Sequence, residues 1–228
     1  MSADGDKRAA AEAAVLEVRA GMMVGLGTGS TAAHMIRALG RIVAGGLAID
    51  AVATSEASAT LARELGIRVH DFAGVARVDL TIDGADEIDD RLLVVKGAGG
   101  AMLREKCVAA ASDRMVVIAD GAKRVGAIGA ARVPVEVLPF AHGFVARMLT
   151  ERSDPLLRMA GGEPYRTDQQ MLVVDCAFHD LSDPQGTAAW LQAIPGVLGH
   201  GLFLSEVDAA YLATDGVVTK LERPADPD

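Results

Sequence analysis

"MMVGLGTGSTAAHMIRALGRIVA", residues Met22–Ala44, holds an apolar run, a glycine turn and a helical pattern in one stretch. Residues 22–27 are apolar or glycine, short, and followed by turn residues, as a buried strand is. From Ser30 to Ala44 the apolar positions Ala33, Ile36, Leu39 and Val43 recur at helical spacing. Strand, tight turn and helix together make the repeating unit of a parallel sheet.

The unit recurs on both sides. Strands are predicted over 48–55, 67–70, 78–83, 92–96 and 115–120, and helices over 57–65, closed by Gly66, and after "KGAGG" (96–100). Repeated βα units with apolar strands predict an α/β fold, a doubly wound parallel sheet with ligands at the carboxyl ends of its strands. Near residue 130 the pattern changes. "VPVEVLP" (133–139) carries prolines at its edges and reads as an edge strand or the start of a new domain. A helix over 141–151, a strand within 165–178, a helix over 184–194 and a strand over 196–204 follow, a β-α-β-α-β order resembling a small split-βαβ insert. "AAYLATDGVVTKLE" (209–222) then returns as a hairpin turning at Asp215-Gly216, and "RPADPD" (223–228) reads as a frayed tail. The expected domains are 1–130 plus 207–228 for the core and 131–206 for a smaller α+β unit.

Composition narrows the function. Half of the 228 residues are hydrophobic and only 4% aromatic, so Ala, Val, Leu, Ile and Met must build the core. The formal net charge of −9 repels nucleic acid and anionic membranes, and neither is an expected partner. Local lysines and backbone amides can still receive a small anion. No apolar run reaches the eighteen or so residues of a spanning helix. "MSADGDKRAAAEAAVLEV" (1–18) is charged before it is apolar, which suits an amphipathic helix and not a signal peptide, so a cytoplasmic location is expected. Cys107 and Cys176 show no metal-ligand spacing and are expected to be buried, reduced thiols.

Four segments place glycine or charge where strands end. In "GLGTGST" (25–31), backbone amides and the hydroxyls of Thr28, Ser30 and Thr31 can face an anion, although an ordinary capped turn explains the same residues. "DGADEIDD" (83–90) puts Asp83 at the carboxyl edge of a strand, and Gly84 allows close approach. Glu87, Asp89 and Asp90 lie further along and are expected at the surface, and without histidine or a second acidic cluster a metal site is disfavoured. In "VKGAGGAMLREKCVAAAS" (95–112), Lys96 ends a strand, Gly97, Gly99 and Gly100 make the turn, and Glu105 lies on a helix stripe of small apolar residues. Partial desolvation would raise that carboxyl toward the range of a general base, the competing reading being a solvated Arg104-Glu105-Lys106 corner. Lys123, in "ADGAKR" (119–124), lies just past a strand and can face the same edge. The five histidines are scattered, and no nucleophile elbow is present. Carboxylate, lysines and anion cradle, with no cofactor motif, suit proton transfer on a small phosphorylated hydroxy-carbonyl compound.

With these residues in view, the chain resembles the type A ribose-5-phosphate isomerase family. "GLGTGSTA" (25–32), "DGADEID" (83–89), "KGAGGAMLREK" (96–106) and "IPGVLGHGLF" (194–203) stand in that family's order and spacing, and the likeness runs from "KRAAAEAA" (7–14) to the final hairpin. The resemblance implies a Rossmann-like core with an inserted ferredoxin-like lid. It implies cofactor-free, metal-free interconversion of ribose 5-phosphate and ribulose 5-phosphate through an enediolate, and a homodimer or homotetramer. By the same resemblance Glu105 is the proton acceptor, Lys96 stabilises the oxyanion, and Asp83 and Asp86 hold sugar hydroxyls and help open the ring. Thr28, Gly29, Ser30 and Thr31, Gly84 and Ala85, Gly97, Ala98 and Gly99, together with Lys123 and Lys7, complete the implied substrate contacts. Two departures are visible. Ala98 stands where glycine is common, strained if its φ is positive. "YRTDQQMLVV" (165–174) lacks an expected Asn-Gly turn, which points to a shortened or differently turned lid hairpin. A non-catalytic sugar-phosphate sensor would need a DNA-binding segment, which the first twenty residues are too short to hold. An amino-sugar-phosphate deaminase or a lactonase on the same architecture is disfavoured by the intact "DGAD" and "REK" segments.

Overall fold

A computed structural model describes residues 2–223. In chain order it begins α1 (Ala3–Val15), β1 (Met23–Leu26), α2 (Ser30–Ala44), β2 (Asp50–Ala53), α3 (Glu56–Glu64), β3 (Arg68–Val69) and β4 (Leu80–Gly84). Then come β5 (Glu87–Ile88), β6 (Val94–Val95), α4 (Met102–Ala110) and β7 (Met115–Asp120). β8 (Val133–Val137), α5 (His142–Leu149), β9 (Ser153–Leu157), β10 (Met159–Ala160) and β11 (Glu163–Pro164) follow. β12 (Leu172–Phe178), α6 (Pro184–Ala193), β13 (Val197–His200), β14 (Leu202–Phe203), β15 (Ala209–Thr214) and β16 (Val217–Glu222) complete the order. The tail predicted over 223–228 lies outside the described residues from 224 onward.

The central sheet runs β16-β15-β7-β4-β1-β2-β3, parallel throughout except for the antiparallel hairpin strand β16. The chain lays β1, β2 and β3 outward in one direction, then crosses back to pair β4 with the free side of β1. That reversal is a topological switch point, where the loops leaving β1 and β4 diverge and open a crevice. Period-two alternation sorts the core. Val24, Leu26, Ile82, Val116 and Ile118 pack with Ala10, Ala14, Met35, Ile36 and Leu39 of α1 and α2. Met115, Val117 and Ala119 join Ile88, Val94 and Phe203 in a separate cluster. Each fully buried Leu or Ile contributes about 1.5–3 kcal/mol.

The insert holds a second, antiparallel sheet, order β13-β8-β12-β9, packed with α5 and α6 around Val135, Val145, Val174, Leu191 and Ile194. Its order is β-α-β-β-α-β, one strand more than the sequence suggested. The missed strand, β9, contains Pro155, which lowers the strand signal, and lies at the sheet edge, where proline is tolerated. β8, expected at an edge, is instead internal. Its Pro134 faces Gly201, whose amide donates to Pro134 O at 2.8 Å while the Gly201 carbonyl accepts from the Lys96 amide, so the missing N–H leaves no acceptor unpaired.

Other expectations are corrected. "LLVVK" belongs not to the parallel sheet but to a small antiparallel sheet, β14-β6-β5, and the strand predicted over 196–204 breaks at Gly201 between two sheets. Glu87 and Asp89 are buried, not at the surface. Glu87 accepts from the amides of Gly129 and Ala131, both at 2.7 Å, while Asp89 accepts from those of Arg91 and Leu93. Cys107 is exposed, and Cys176 is buried as expected. Gln170 takes a positive φ of 67°, so the turn after Thr167 closes without Asn-Gly, with Gln170 N–H donating to Thr167 O at 2.8 Å. Asp215 and Gly216 both have positive φ at the final hairpin. Among the described residues no helix is long and apolar enough to cross a membrane.

Candidate active site

At the switch point β1 runs into Gly27 and β4 ends in Asp83-Gly84, and the two turns are pressed together. Asp83 Oδ1 accepts from the amides of Thr28 at 2.9 Å and Gly84 at 2.7 Å. The approach is so close that a Cβ on Gly27 would fall 2.1 Å from Asp83 Oδ1 and 2.5 Å from its Cα. Gly27→Ala must therefore move backbone, and a loss of about 3 kcal/mol in a denaturant melt is expected. An alanine variant with wild-type stability would show that the strands are not held together as described.

Lys96 projects from the end of β6 into this junction. Its ammonium lies 2.9 Å from Asp83 Oδ2 and 3.4 Å from Glu105 Oε2, and donates to Gly84 O at 2.5 Å. All three ionisable side chains are at most 3% exposed. Two carboxylates thus share one buried cation. Burial alone would lower the Lys96 pKa, but the charges of Asp83 and Glu105 outweigh it and hold the ammonium form. Glu105 is left the weaker-paired acid. Burial, then the nearby Asp83 charge, push its carboxyl well above the usual carboxylate range, and Lys96 only partly offsets them. Beyond the 3.4 Å ion pair with Lys96, its Oε2 has no hydrogen-bond partner among the described residues.

Helix geometry explains how Glu105 can be buried between two charged neighbours. Successive residues point about 100° apart. Arg104 turns toward α3 and the insert, donating to Glu56 at 2.9 Å and Gln169 at 3.1 Å. Lys106 turns the other way, to Glu206 at 2.9 Å, and its Nζ lies 4.1 Å from the Phe203 ring centroid. Only Glu105 faces the junction, so the solvated-corner reading is overturned.

These residues enclose a cavity of about 250 Å³. Lys7, Thr28, Gly29, Ser30 and Thr31 line one side, Gly84, Ala85 and Asp86 another, Lys96 to Gly99 with Glu105 a third, and Lys123 completes it. Every predicted site residue lines it except Asp83, which is fully buried behind Lys96 with its oxygens already engaged. Lys7 Nζ donates to Ser30 Oγ at 3.1 Å, at the start of α2, a fifteen-residue helix whose N-terminus has no side-chain cap. Uncapped amides beside a lysine suit an anion. Asp86 Oδ2 accepts from the Ala98 amide at 2.9 Å. Ala98 does not take a positive φ, which falls instead on Gly97 (103°) and Gly100 (79°), so the feared strain is absent. A larger cavity, about 690 Å³, opens beside Leu103, Arg104 and Cys107 of α4, but no lysine lines it and Glu105 does not reach it.

Sequence reasoning missed what the insert contributes. Glu136, buried on β8, accepts from Thr167 Oγ1 at 2.8 Å and from Gln169 Nε2, and Asp168 accepts from the Glu56 amide at 2.9 Å at the start of α3. The turn 167–170 is thereby moored to α3 and α4. Arg158 and Tyr165 also reach the glycine loop. No local pattern marks any of these, since each acts on residues tens of positions away.

Residues 50–216 match the family model of ribose 5-phosphate isomerase A (phosphoriboisomerase A). The chain is 47% identical over 223 residues to a ribose-5-phosphate isomerase A of Parvibaculum lavamentivorans, spanning 94% of this chain and 96% of that protein. It is 49% identical over 214 residues to one of Sphingopyxis alaskensis, spanning 93% and 94%. Among solved structures, a D-ribose-5-phosphate isomerase in complex with phospho-erythronic acid superposes with a TM-score of 0.95 at 33% identity, covering 98% of this chain and all of that one. The ribose 5-phosphate isomerase A of Neisseria gonorrhoeae gives 0.92 at 35% identity, covering 98% and 99%.

Proposed function

Since the chain belongs to the ribose 5-phosphate isomerase A family, we propose that it interconverts D-ribose 5-phosphate and D-ribulose 5-phosphate, with Glu105 moving the proton. The carrying observation is Lys96 held between Asp83 and a poorly paired, buried Glu105 on the wall of a sugar-sized cavity. The phosphate sits at the start of α2, where Lys7, Ser30 and Thr31 and the helix amides face it, with Lys123 adding charge. That end fixes the open-chain sugar so that its C1–C2 bond lies against Glu105. Glu105 takes the proton from C2, and negative charge develops on the carbonyl oxygen at C1, facing the Lys96 ammonium. The C2 hydroxyl proton passes to that oxygen, C2 becomes the carbonyl, and Glu105 returns its proton to C1. Asp83 acts through Lys96, keeping it charged and aimed, while Asp86 faces the sugar hydroxyls.

This reading places the protein in the non-oxidative pentose phosphate pathway of the cytoplasm. The unit 131–206 serves as a lid over the core formed by 1–130 and the C-terminal hairpin. A homodimer or homotetramer would cover Phe140, 96% exposed, and Phe144 on the outer face of that unit, and light scattering after gel filtration tests it.

The deciding assay follows ketose formation from ribose 5-phosphate by purified protein in the presence of EDTA. Turnover is expected to be undiminished by the chelator, because Lys96 supplies the positive charge that the reaction needs. Binding of ribose 5-phosphate without turnover would replace the isomerase with a sugar-phosphate sensor.

A further inference from the structure

We infer that Arg158, locked by Asp175, is a positioning residue that orients the Gly97–Gly99 backbone for substrate. The inference rests on the isomerase reading above. Arg158 lies between β9 and β10, and its guanidinium is forked onto Asp175 of β12, Nε to Oδ2 at 2.8 Å and a terminal nitrogen to Oδ1 at 2.5 Å. Both side chains are less than one-fifth exposed, so the fork is sheltered and its direction fixed. The remaining nitrogen donates to two consecutive carbonyls of the glycine loop, Gly97 O at 3.1 Å and Ala98 O at 3.0 Å.

In a planar trans peptide the C=O and the following N–H point in opposite directions. Holding those two oxygens therefore aims the next two amides away from Arg158. One of them, the Ala98 N–H, donates to Asp86 Oδ2 at 2.9 Å, placing that carboxylate on the cavity wall. The other, the Gly99 N–H, has no partner among the described residues, and Gly99 lines the same cavity. Gly97 O also accepts from the Gly100 amide at 2.9 Å, so this turn and the Arg158 side chain together set one carboxylate and one free donor for the sugar, Arg158 alone holding Ala98 O. Tyr165 backs the arrangement. Its ring lies 5.7 Å from the guanidinium and so close to Gly100 that a Cβ there would fall 2.2 Å from its hydroxyl.

The test compares wild type with Arg158→Lys, Arg158→Met and the double variant Arg158→Met/Asp175→Leu. The double variant removes the pair together, so no uncompensated carboxylate is left to unfold the insert. A lysine keeps the charge but cannot span Asp175 and both carbonyls. KM for ribose 5-phosphate is expected to rise by about ten-fold or more in the Met and double variants, the loss of a charged hydrogen-bonding group. Turnover at saturation should change by no more than about three-fold, a split that general loss of folded protein does not produce. Amide exchange at Ala98 should also quicken by about ten-fold while the central sheet stays protected. A folded double variant with wild-type KM overturns the role, as does unchanged exchange at Ala98. Should wild-type protein itself not turn over ribose 5-phosphate, the isomerase reading fails, and the exchange measurement still judges the clamp.

Discussion

Glu105→Gln is expected to lower turnover of ribose 5-phosphate by about a hundred-fold or more, the usual weight of a general base, while raising the melting temperature at neutral and alkaline pH. The two effects share one cause. Glutamine keeps the shape and an acceptor for Lys96 but cannot take a proton from carbon. In the wild type the folded-state pKa of Glu105 is raised, chiefly by burial and by the Asp83 charge. Below the ordinary carboxylate range, about 4.3, the group is protonated in both states and its ionisation costs no stability. As pH rises, the unfolded chain releases its proton first, so stability falls progressively until the folded group ionises as well. Glutamine has no such loss. Thermal melts across pH should show variant and wild type drawing together in acid and separating above it. On the proposed mechanism the same raised pKa governs catalysis, because a general base acts only when ionised. For wild type, kcat/KM should climb with pH along a limb centred above the ordinary glutamate range. Wild-type turnover in the variant, or a flat profile down through that range, would remove Glu105 as the base.

Lys96→Met should abolish turnover and also damage the fold. Methionine fills the lysine stem but leaves Asp83, fully buried, and Glu105 without a cation. Removing one member of a buried ion pair typically costs about 3–5 kcal/mol, which for a chain of this size lowers the melting temperature by roughly 6–20 °C. The deficit should shrink as pH falls, since a neutral carboxyl tolerates burial better than a charged one. Pairing the melts with the ribose 5-phosphate assay separates the two losses. Turnover should be absent even at temperatures where the variant remains folded. A stable variant with its full melting temperature would mean that Lys96 is not the counter-ion of a buried pair, and the charge arrangement proposed for the oxyanion would go with it.

The sequence carried the elements whose signal is local. Apolar periodicity over Met22–Ala44 located a strand and a helix whose observed bounds, Met23–Leu26 and Ser30–Ala44, lie within or match the predicted spans. Glycine turns marked where the chain must bend at strand ends, and the residue types in "DGAD", "KGAGG" and "REK" supplied the acids, amides and lysine. Because parallel strands present their carboxyl ends on one edge, the turns after β1 and β4 were bound to meet. Folding alone decided the rest. It gave Lys96 a strand whose partner, Leu202–Phe203, lies over a hundred residues on, and it put Asp83 behind that lysine instead of in the cavity. It buried Glu87 against amides near residue 130, and it brought Arg158 onto the glycine loop. Periodicity reports what neighbours in the chain share. Burial, ion pairing and proton affinity depend on what lies within a few ångströms in space, and in this protein those groups arrive from distant parts of the chain.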